Sequence, residues 1–366
     1  MLLKEREITQ KSPKLEFEVK RTRKLVHNIL RVRGQVPYSP EINILDRHPE
    51  FSALKSGYNE EALTKHWPLI LVTGGCGYIG SHVVLELLKQ AEFGVVVVDS
   101  LSNSCLESLH RVSYIASQTV ANLPPIYFHQ TDIRDEARLC QIFGCYVQLD
   151  GACTIQHVIH FAALKSVNAS RLDPLEYYST NVTGTAVLLK TMKNFRVQSL
   201  VFSSSAVVYG SQAGSGKEGE INRLSETCCK ILSGQPASER AINYGRVTNP
   251  YGQTKLKCEE LIHEISQSNI KSFNLRSIIL RYTNPSGNDP SGLIGDSPVQ
   301  AENLMPIASQ VLQGRREYIS IYGTNYPTRD GTGLFPNFYL SHPLARPWFG
   351  FHVLFHILTV NVSCSA

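Results

Sequence analysis

The sequence predicts an α/β fold in which a doubly wound parallel Rossmann sheet is followed by a smaller region. Two observations carry this prediction. Short continuous runs of Val, Ile and Leu alternate with helix-length segments, which is typical of parallel strands buried on both faces. The first run, at 69–73, leads at once into glycines and then into apolar residues at helical spacing, so a strand, a tight turn and a helix follow one another.

The predicted elements follow in order along the chain. Strands are expected at 69–73, 95–99, 126–128, 158–161, 200–203 and 277–281. The stretch 210–249 contains Pro and Gly residues, interrupts the alternation and is interpreted as a surface insertion or lid. After residue 285 the alternation is lost, and one further helix is expected at 305–313.

Composition and charge argue against several classes of protein. Most of the net charge of +5 lies before residue 68, where 13 Lys and Arg residues face 9 Asp and Glu residues, so the rest of the chain offers no basic surface for nucleic acid. Nine cysteines without a Cys-x-x-Cys pair predict a reducing compartment, and no metal site is expected. The apolar run at 348–362 is shorter than the roughly 20 residues of a membrane span. With no secretory signal, we expect a cytoplasmic protein without a membrane anchor.

The glycines after the first strand predict a dinucleotide site. Gly74 permits the turn, Gly77 lets the backbone approach a pyrophosphate, and Gly80 allows helix and sheet to pack closely. Asp99 ends the second strand, where a carboxylate accepts hydrogen bonds from ribose hydroxyls and repels a 2′-phosphate. The cofactor is therefore expected to be NAD rather than NADP.

A second group of residues predicts acid–base chemistry. Tyr251 and Lys255 are four residues apart, so both side chains emerge on one face if the segment is helical. The ammonium group is expected to lower the pKa of Tyr251 from its ordinary value of about 10, and a cationic nicotinamide ring would lower it further. Three successive serines, Ser203, Ser204 and Ser205, lie at the end of a buried strand and at the carboxyl end of the sheet, where ligands of open α/β folds bind.

The motifs and their order resemble those of the UDP-glucose 4-epimerase family, which belongs to the extended short-chain dehydrogenases/reductases. The matching segments are 73–82, 99–104, 132–133, 160–165, 181–185, 203–210, 249–255, 281–285, 303–306 and 330–333. Dehydratases of the same superfamily carry an acidic pair beside the central serine or threonine. Ala206 and Val207 stand in that place here, which favours epimerisation.

The resemblance implies an isomerase of carbohydrate metabolism, specifically galactose metabolism. It would oxidise a UDP-hexose at C4 with bound NAD, let the 4-keto sugar turn over and reduce it again, so that UDP-glucose and UDP-galactose interconvert. The implied NAD contacts are Gly74, Gly77, Tyr78, Ile79, Gly80, Asp99, Asn103, Asp132, Ile133, Lys165, Asn181 and Lys255. The implied contacts to the UDP-hexose are Ser205, Tyr251, Asn284, Asn303 and Leu304. Ser205, Tyr251 and Lys255 would be the catalytic residues, and a homodimer is expected.

The likeness covers about residues 69–333, which suggests four segments. These are an N-terminal extension at 1–67, an NAD-binding domain at 68–284, a partial sugar-nucleotide-binding domain at 285–333 and an apolar tail outside the family pattern at 334–366. The family continues beyond the Gly-Thr-Gly motif at 331–333 with residues that bind the uridine diphosphate, so this chain is expected to be C-terminally truncated. Two alternatives stay open: a catalytically incomplete NAD-binding protein or fragment, and an epimerase or dehydratase of another nucleotide sugar.

Overall fold

A computed structural model describes residues 67–148, 151–209, 247–268, 273–296, 298, 301–320 and 337–339. Its centre is a six-stranded parallel sheet with the strand order β3-β2-β1-β4-β5-β6. The strands are β1 (Leu69–Thr73), β2 (Gly94–Asp99), β3 (Ile126–Gln130), β4 (Ile155–His160), β5 (Ser199–Ser205) and β6 (Arg276–Tyr282). This is the order of a doubly wound dinucleotide-binding sheet, in which ligands bind at the carboxyl ends of the strands where the order reverses.

Helices connect successive strands and cover both faces of the sheet. They are α1 (Tyr78–Gln90), α2 (Glu107–Ser117), α3 (Glu136–Gly144), α4 (Val167–Leu172), α5 (Pro174–Tyr177), α6 (Gly184–Asn194) and α7 (Pro250–Gln267). A π-helical segment, Tyr178–Thr183, runs directly into α6, and a 3₁₀ turn, Ala206–Tyr209, follows β5. These crossover helices provide the long connections that neighbouring parallel strands need.

Two apolar clusters, one on each side of the sheet, form the core. One contains Leu71, Val96 and Phe202, and the other contains Ile70, Val97 and Ile159. Successive side chains of a strand point to opposite faces, so the continuous apolar runs supply both clusters at once. Every residue of β1 and β2 is buried, which is why these strands carry no alternating polar pattern.

The predicted fold class is confirmed, and all six predicted strands are present with bounds shifted by a few residues. The predicted helix at 305–313 is α8 (Leu304–Leu312). Most of the predicted insertion at 210–249 lies outside the described residues, as do residues 1–66. A short parallel pair joins β7 (Asn284–Ser286) to β8 (Asn337–Tyr339), whose three residues are the described part of the predicted tail.

The chain divides into two compact units. The sheet, its helices and β7 with β8 belong to one unit, and residues 301–320 with α8 belong to the other. The segment 285–296 therefore groups with the sheet, while the predicted domain boundary after residue 284 stays a prediction. Among the described residues, every helix is too short or too polar to cross a bilayer.

Candidate functional site

The glycine-rich turn joins β1 to α1 at the carboxyl end of the sheet. Gly74 has a φ of +70°, in the left-handed region, and its N–H donates to the carbonyl of Val98 at 2.8 Å. A Cβ at Gly80 would lie 2.1 Å from the carbonyl oxygen of Gly74, so helix and turn are closer than a side chain allows. No side chain caps α1 at Gly77, and the first turn of this helix holds no acidic residue. The turn thus offers backbone N–H groups at a helix N-terminus, a geometry that binds phosphate.

Asp99 is buried at the end of β2 and connects this turn to the loop that follows the strand. Its Oδ2 accepts a hydrogen bond from the N–H of Cys76 at 3.0 Å. Its Oδ1 accepts from the N–H of Leu101 at 2.9 Å and from the hydroxyl of Ser104 at 2.8 Å. The carboxylate therefore organises both loops that border the predicted ribose site.

The local sequence fixes where α7 begins. The Asn249 side chain caps the helix by accepting from the N–H of Gly252 at 2.8 Å, and Pro250 occupies the first turn, where its missing N–H is not needed. Because the helix starts here, Tyr251 and Lys255 lie one turn apart on its buried side.

Both side chains face the end of β5. The Lys255 Nζ donates to the carbonyl of Ser203 at 2.8 Å and lies 5.0 Å from the centre of the Phe202 ring. The Tyr251 side chain lies near Ser205, the last residue of the strand, close enough for Ser205 to influence the pKa of the phenol. The structure thus brings the three predicted catalytic residues together at the carboxyl edge of the sheet.

The electrostatics of this group differ from the expectation. Burial raises the pKa of Tyr251 to about 12, and the hydrogen bond from Ser205 only partly opposes the rise. Burial also lowers the pKa of Lys255 to about 8, against the attraction of Cys258 and Glu259. In the chain by itself the pKa of Tyr251 is therefore raised rather than lowered, contrary to the expectation, because loss of solvent is the largest influence on it.

Asn181 lies in the π-helical segment and is buried. Its Nδ2 donates to the carbonyl of Leu164 and to the hydroxyl of Thr254, both at 3.0 Å, and its Oδ1 accepts from the N–H of Leu164 at 2.8 Å. The side chain therefore ties the loop after β4, which carries Lys165, to α7. Its predicted contact with NAD stays a prediction.

Asp132 and Ile133 follow β3. Asp132 forms an ion pair with Arg134, with 2.7 Å between Nη2 and Oδ2, and the hydrogen bonds from Arg134 lower the pKa of this carboxyl group. Ile133 is buried, and a Cβ at Gly184 would lie 2.6 Å from its Cδ1. Close packing at this point brings the start of α6 next to the loop that carries Asp132.

The remaining predicted residues lie at the ends of elements. The Tyr78 hydroxyl, on the first residue of α1, donates to the carbonyl of Gly287 at 2.6 Å, and Ile79 beside it is half-buried. Three others are exposed: Asn103, Lys165 and Asn284. Asn303 and Leu304 begin α8 in the other compact unit, and their predicted contact with substrate stays a prediction.

A buried histidine that the sequence did not single out connects two of the elements around the site. His160 ends β4, with its Nδ1 2.6 Å from the Thr73 hydroxyl and its Nε2 3.0 Å from the Thr185 hydroxyl. Burial, with the positive charge of Lys255, lowers the pKa of His160 to about 3. The neutral ring thus links the end of β1 to α6. Its place at the end of a predicted strand was the signal available in the sequence.

The chain is similar in sequence and in fold to known UDP-glucose 4-epimerases. The UDP-glucose 4-epimerase 2 of Arabidopsis thaliana is 42% identical over 266 residues, which are 72% of this chain and 66% of that protein. The chain thus spans slightly less than two thirds of the length of this relative. A UDP-glucose 4-epimerase from Bifidobacterium longum, solved in complex with NAD+ and UDP, is 34% identical with a TM-score of 0.60, over 74% of this chain and 70% of that one.

A second solved structure is similar to the same extent. The UDP-glucose-4-epimerase of Stenotrophomonas maltophila, with bound NAD and formylated UDP-arabinopyranose, is 38% identical with a TM-score of 0.59, over 74% of this chain and 69% of that one. Residues 70–331 match the family described as the NAD dependent epimerase/dehydratase family. Since this match covers more than half of the sequence and the fold and site geometry agree with it, the chain belongs to the NAD dependent epimerase/dehydratase family.

Proposed function

We propose that this chain binds NAD and interconverts UDP-glucose and UDP-galactose. One observation carries the proposal: the open glycine-rich turn after β1 and the group of Ser205, Tyr251 and Lys255 after β5 lie at the carboxyl edge of one sheet. A cofactor and a sugar that bind at this edge can meet beside the tyrosine. The relatives support the choice of reaction, because they are named UDP-glucose 4-epimerases.

The residues around the turn fit a dinucleotide. The uncapped N-terminus of α1 suits the pyrophosphate, and Gly74 and Gly80 leave no side chain in the way. Asp99 accepts three hydrogen bonds from the protein, and a carboxylate has about four acceptor positions, so a ribose hydroxyl can still bind. When bound, NAD would accept a hydride from C4 of the sugar and return it to the opposite face.

The side chains of the protein would handle the proton of the sugar 4-hydroxyl. Tyr251 would take this proton, and Ser205 would hydrogen-bond both the sugar and the phenolate. Because the pKa of Tyr251 is about 12 in the chain alone, its activation requires positive charge beyond that of Lys255. Burial lowers the pKa of Lys255 to about 8, so its ammonium form is present near neutral pH and supplies a first positive charge, to which the nicotinamide ring of bound NAD would add a second.

The replacement Tyr251→Phe tests the proposal. We expect wild-type chain to convert UDP-galactose to UDP-glucose and the variant to lose about 100-fold or more in turnover, the usual size of a general acid–base contribution. NAD binding, measured by calorimetry, should survive because the phenol is not needed to hold the pyrophosphate. Turnover is measured by separating the two nucleotide sugars chromatographically.

Tyr127→Phe is the matched control. Tyr127 is buried to the same 9% exposure as Tyr251 but lies on β3, where its ring packs against Tyr146. This variant should keep full turnover. Absence of turnover in folded wild-type chain that binds NAD would reject the epimerase function and favour the catalytically incomplete alternative.

We further propose a homodimer that forms through the surface of α4 and α5. Leu172 and Leu175 are 88% and 81% exposed, and they lie on adjacent short helices, close in sequence to the exposed Tyr178. Exposed apolar side chains of this kind mark interaction surfaces.

We expect the double variant Leu172→Glu/Leu175→Glu to be a monomer in light scattering, where the wild-type chain is a dimer. Tyr114→Glu, at an exposed tyrosine of α2, should leave the dimer intact.

A cytoplasmic location is also proposed. All six cysteines that the structure describes are free thiols, and Cys76 and Cys258 are buried among core residues. Their burial raises the pKa of both thiols, which makes them unreactive. This usage supports a reducing compartment.

A further inference from the structure

Three side chains on one stripe of α7 face the end of β5. They are Tyr251, Lys255 and Glu259, each four residues after the last and all buried. Three successive serines of the strand are their partners: Ser203, Ser204 and Ser205. The role proposed above uses the contacts of Tyr251 and Lys255, whereas the contact of Glu259 has no part in it.

Glu259 is fully buried and belongs to an ion pair. The Nε of Arg281 lies 3.0 Å and 3.1 Å from its two carboxylate oxygens, and Nη2 lies 2.5 Å from Oε2. The guanidinium group of Arg281 also lies 5.2 Å from the centre of the Tyr209 ring. Arg281 stands on β6 directly beside Ser204 in the register of the sheet. The Ser204 hydroxyl donates to Oε1 of Glu259, so α7, β5 and β6 meet at this carboxylate.

Stability alone is a weak reason for a charged pair at such a place. Taking both charges out of water is unfavourable, and apolar side chains of similar volume are often as stabilising as a buried ion pair or more so. Hydrogen bonds fix geometry in a way that apolar packing does not. The Ser204 hydroxyl is the link through which Glu259 and Arg281 hold the residue next to Ser205.

We propose that the Glu259–Arg281 ion pair is a positioning device, which holds Ser204 and thereby keeps its neighbour Ser205 in place beside Tyr251. This inference deepens the proposed epimerase function and rests on it. Glu259, Arg281 and Ser204 are positioning residues, since each acts on the sugar site through a neighbour.

Ser204→Ala removes the link and leaves the ion pair in place. We expect turnover to fall about 10- to 100-fold, the effect of a small misplacement of reacting groups, with the NAD dissociation constant unchanged and the unfolding midpoint lowered only slightly by the lost hydrogen bond. Ser199→Ala, at the other end of β5, is the matched control and should keep full turnover. Wild-type turnover in Ser204→Ala would overturn the inference.

The double variant Glu259→Leu/Arg281→Met separates positioning from stability. It replaces the ion pair by apolar side chains, so the double variant should be as stable as wild type. A single replacement would leave one charge buried without its partner, and that variant could fail to fold. We expect its turnover to stay as low as that of Ser204→Ala. Recovery of turnover together with stability would show that the pair serves the fold alone.

Crystal structures of wild type and Ser204→Ala give a readout that needs no turnover. The distance from the Ser205 Oγ to the Tyr251 hydroxyl should be longer in the variant than in wild type. An unchanged distance would overturn the inference. Lack of turnover by wild type would reject the proposed epimerase function, while this distance would still test the positioning role.

Discussion

At the scale of single residues, Asp99 does most to hold the two loops of the predicted ribose site. Leu101 has a φ of +60°, a strained conformation for a side chain, and the hydrogen bond from its N–H to Asp99 offsets that strain. Asp99→Asn keeps the shape but replaces one acceptor oxygen by a donor. We expect a loss of about 1–3 kcal/mol in the free energy of unfolding and weaker NAD binding, measured by urea denaturation and calorimetry.

Ser104→Ala serves as the control for this prediction. It removes one of the three donors to Asp99 and leaves the carboxylate charged. The expected loss is about 1 kcal/mol or less, with NAD affinity close to wild type. If Asp99→Asn kept both the stability and the affinity of wild type, the carboxylate would have no organising role.

The sequence revealed the chemistry of single residues better than their energetics. Tyr251 and Lys255 could be found because spacing on a helix is a local feature, whereas the choice of Ser205 among three successive serines came from the resemblance to the epimerase family. The pKa of Tyr251 could not be found, because it depends on how much water the whole fold removes. Glu259 continues the same spacing of four, so the local pattern could have identified it. Its pairing with Arg281 could not be predicted, because it depends on the order of strands in the sheet.

At the scale of elements, the contact between α1 and the glycine-rich turn leaves no room for one added methyl group. In Gly80→Ala the new Cβ would lie 2.1 Å from the carbonyl oxygen of Gly74, so the helix must move away from β1. We expect a loss of about 3 kcal/mol in the free energy of unfolding, with NAD binding strongly weakened.

Gly144→Ala provides the contrast within another helix of the same sheet. Gly144 ends α3, and a Cβ there meets nothing within 4 Å. This variant should gain about 0.4–1 kcal/mol, because alanine has less freedom to lose on folding. Equal effects of the two replacements in urea denaturation would contradict close packing at Gly80.

Apolar runs revealed the strands but not all of their ends. β5 was predicted to end at Ser203, and it extends to Ser205 because Ser204 and Ser205 pair with β6. Polar side chains at the carboxyl end of a strand look like loop in a sequence, although this is the edge that binds ligands. The π-helical segment at Tyr178–Thr183 was not foreseen either, and it contains the buried Asn181, whose side chain bonds to the loop after β4.

At the scale of the whole molecule, the fold buries histidines as neutral groups, which predicts sensitivity to acid. Loss of solvent is the largest cause in each case, and it lowers the pKa of His129 to about 4, that of His160 to about 3, and those of His82 and His157 in the same direction. In the unfolded chain the ordinary pKa is about 6.5. The composition could not reveal this property, because nothing local shows which histidines are buried.

The sign of the effect follows from proton binding. Below about pH 6.5 the unfolded chain binds protons that the folded chain excludes, so the stability from each histidine is present above that pH and is lost as the pH falls toward its folded pKa. Each contributes a slope of at most about 1.4 kcal/mol per pH unit. We therefore expect the urea midpoint to be constant near about pH 8 and to fall steeply between about pH 6 and pH 4.

His157→Phe tests how much one histidine contributes to the dependence of stability on pH. The His157 ring lies 5.8 Å from the Phe93 ring, and within the described ranges its Nδ1 has no hydrogen-bond partner, so phenylalanine removes a titrating group without breaking a bond there. The variant should match or exceed wild-type stability at about pH 8 and should lose less of it on acidification, by up to about 1.4 kcal/mol per pH unit. An unchanged pH dependence would mean that His157 gains its proton in the folded chain as readily as in the unfolded one. In that case His157 would not contribute to the acid sensitivity.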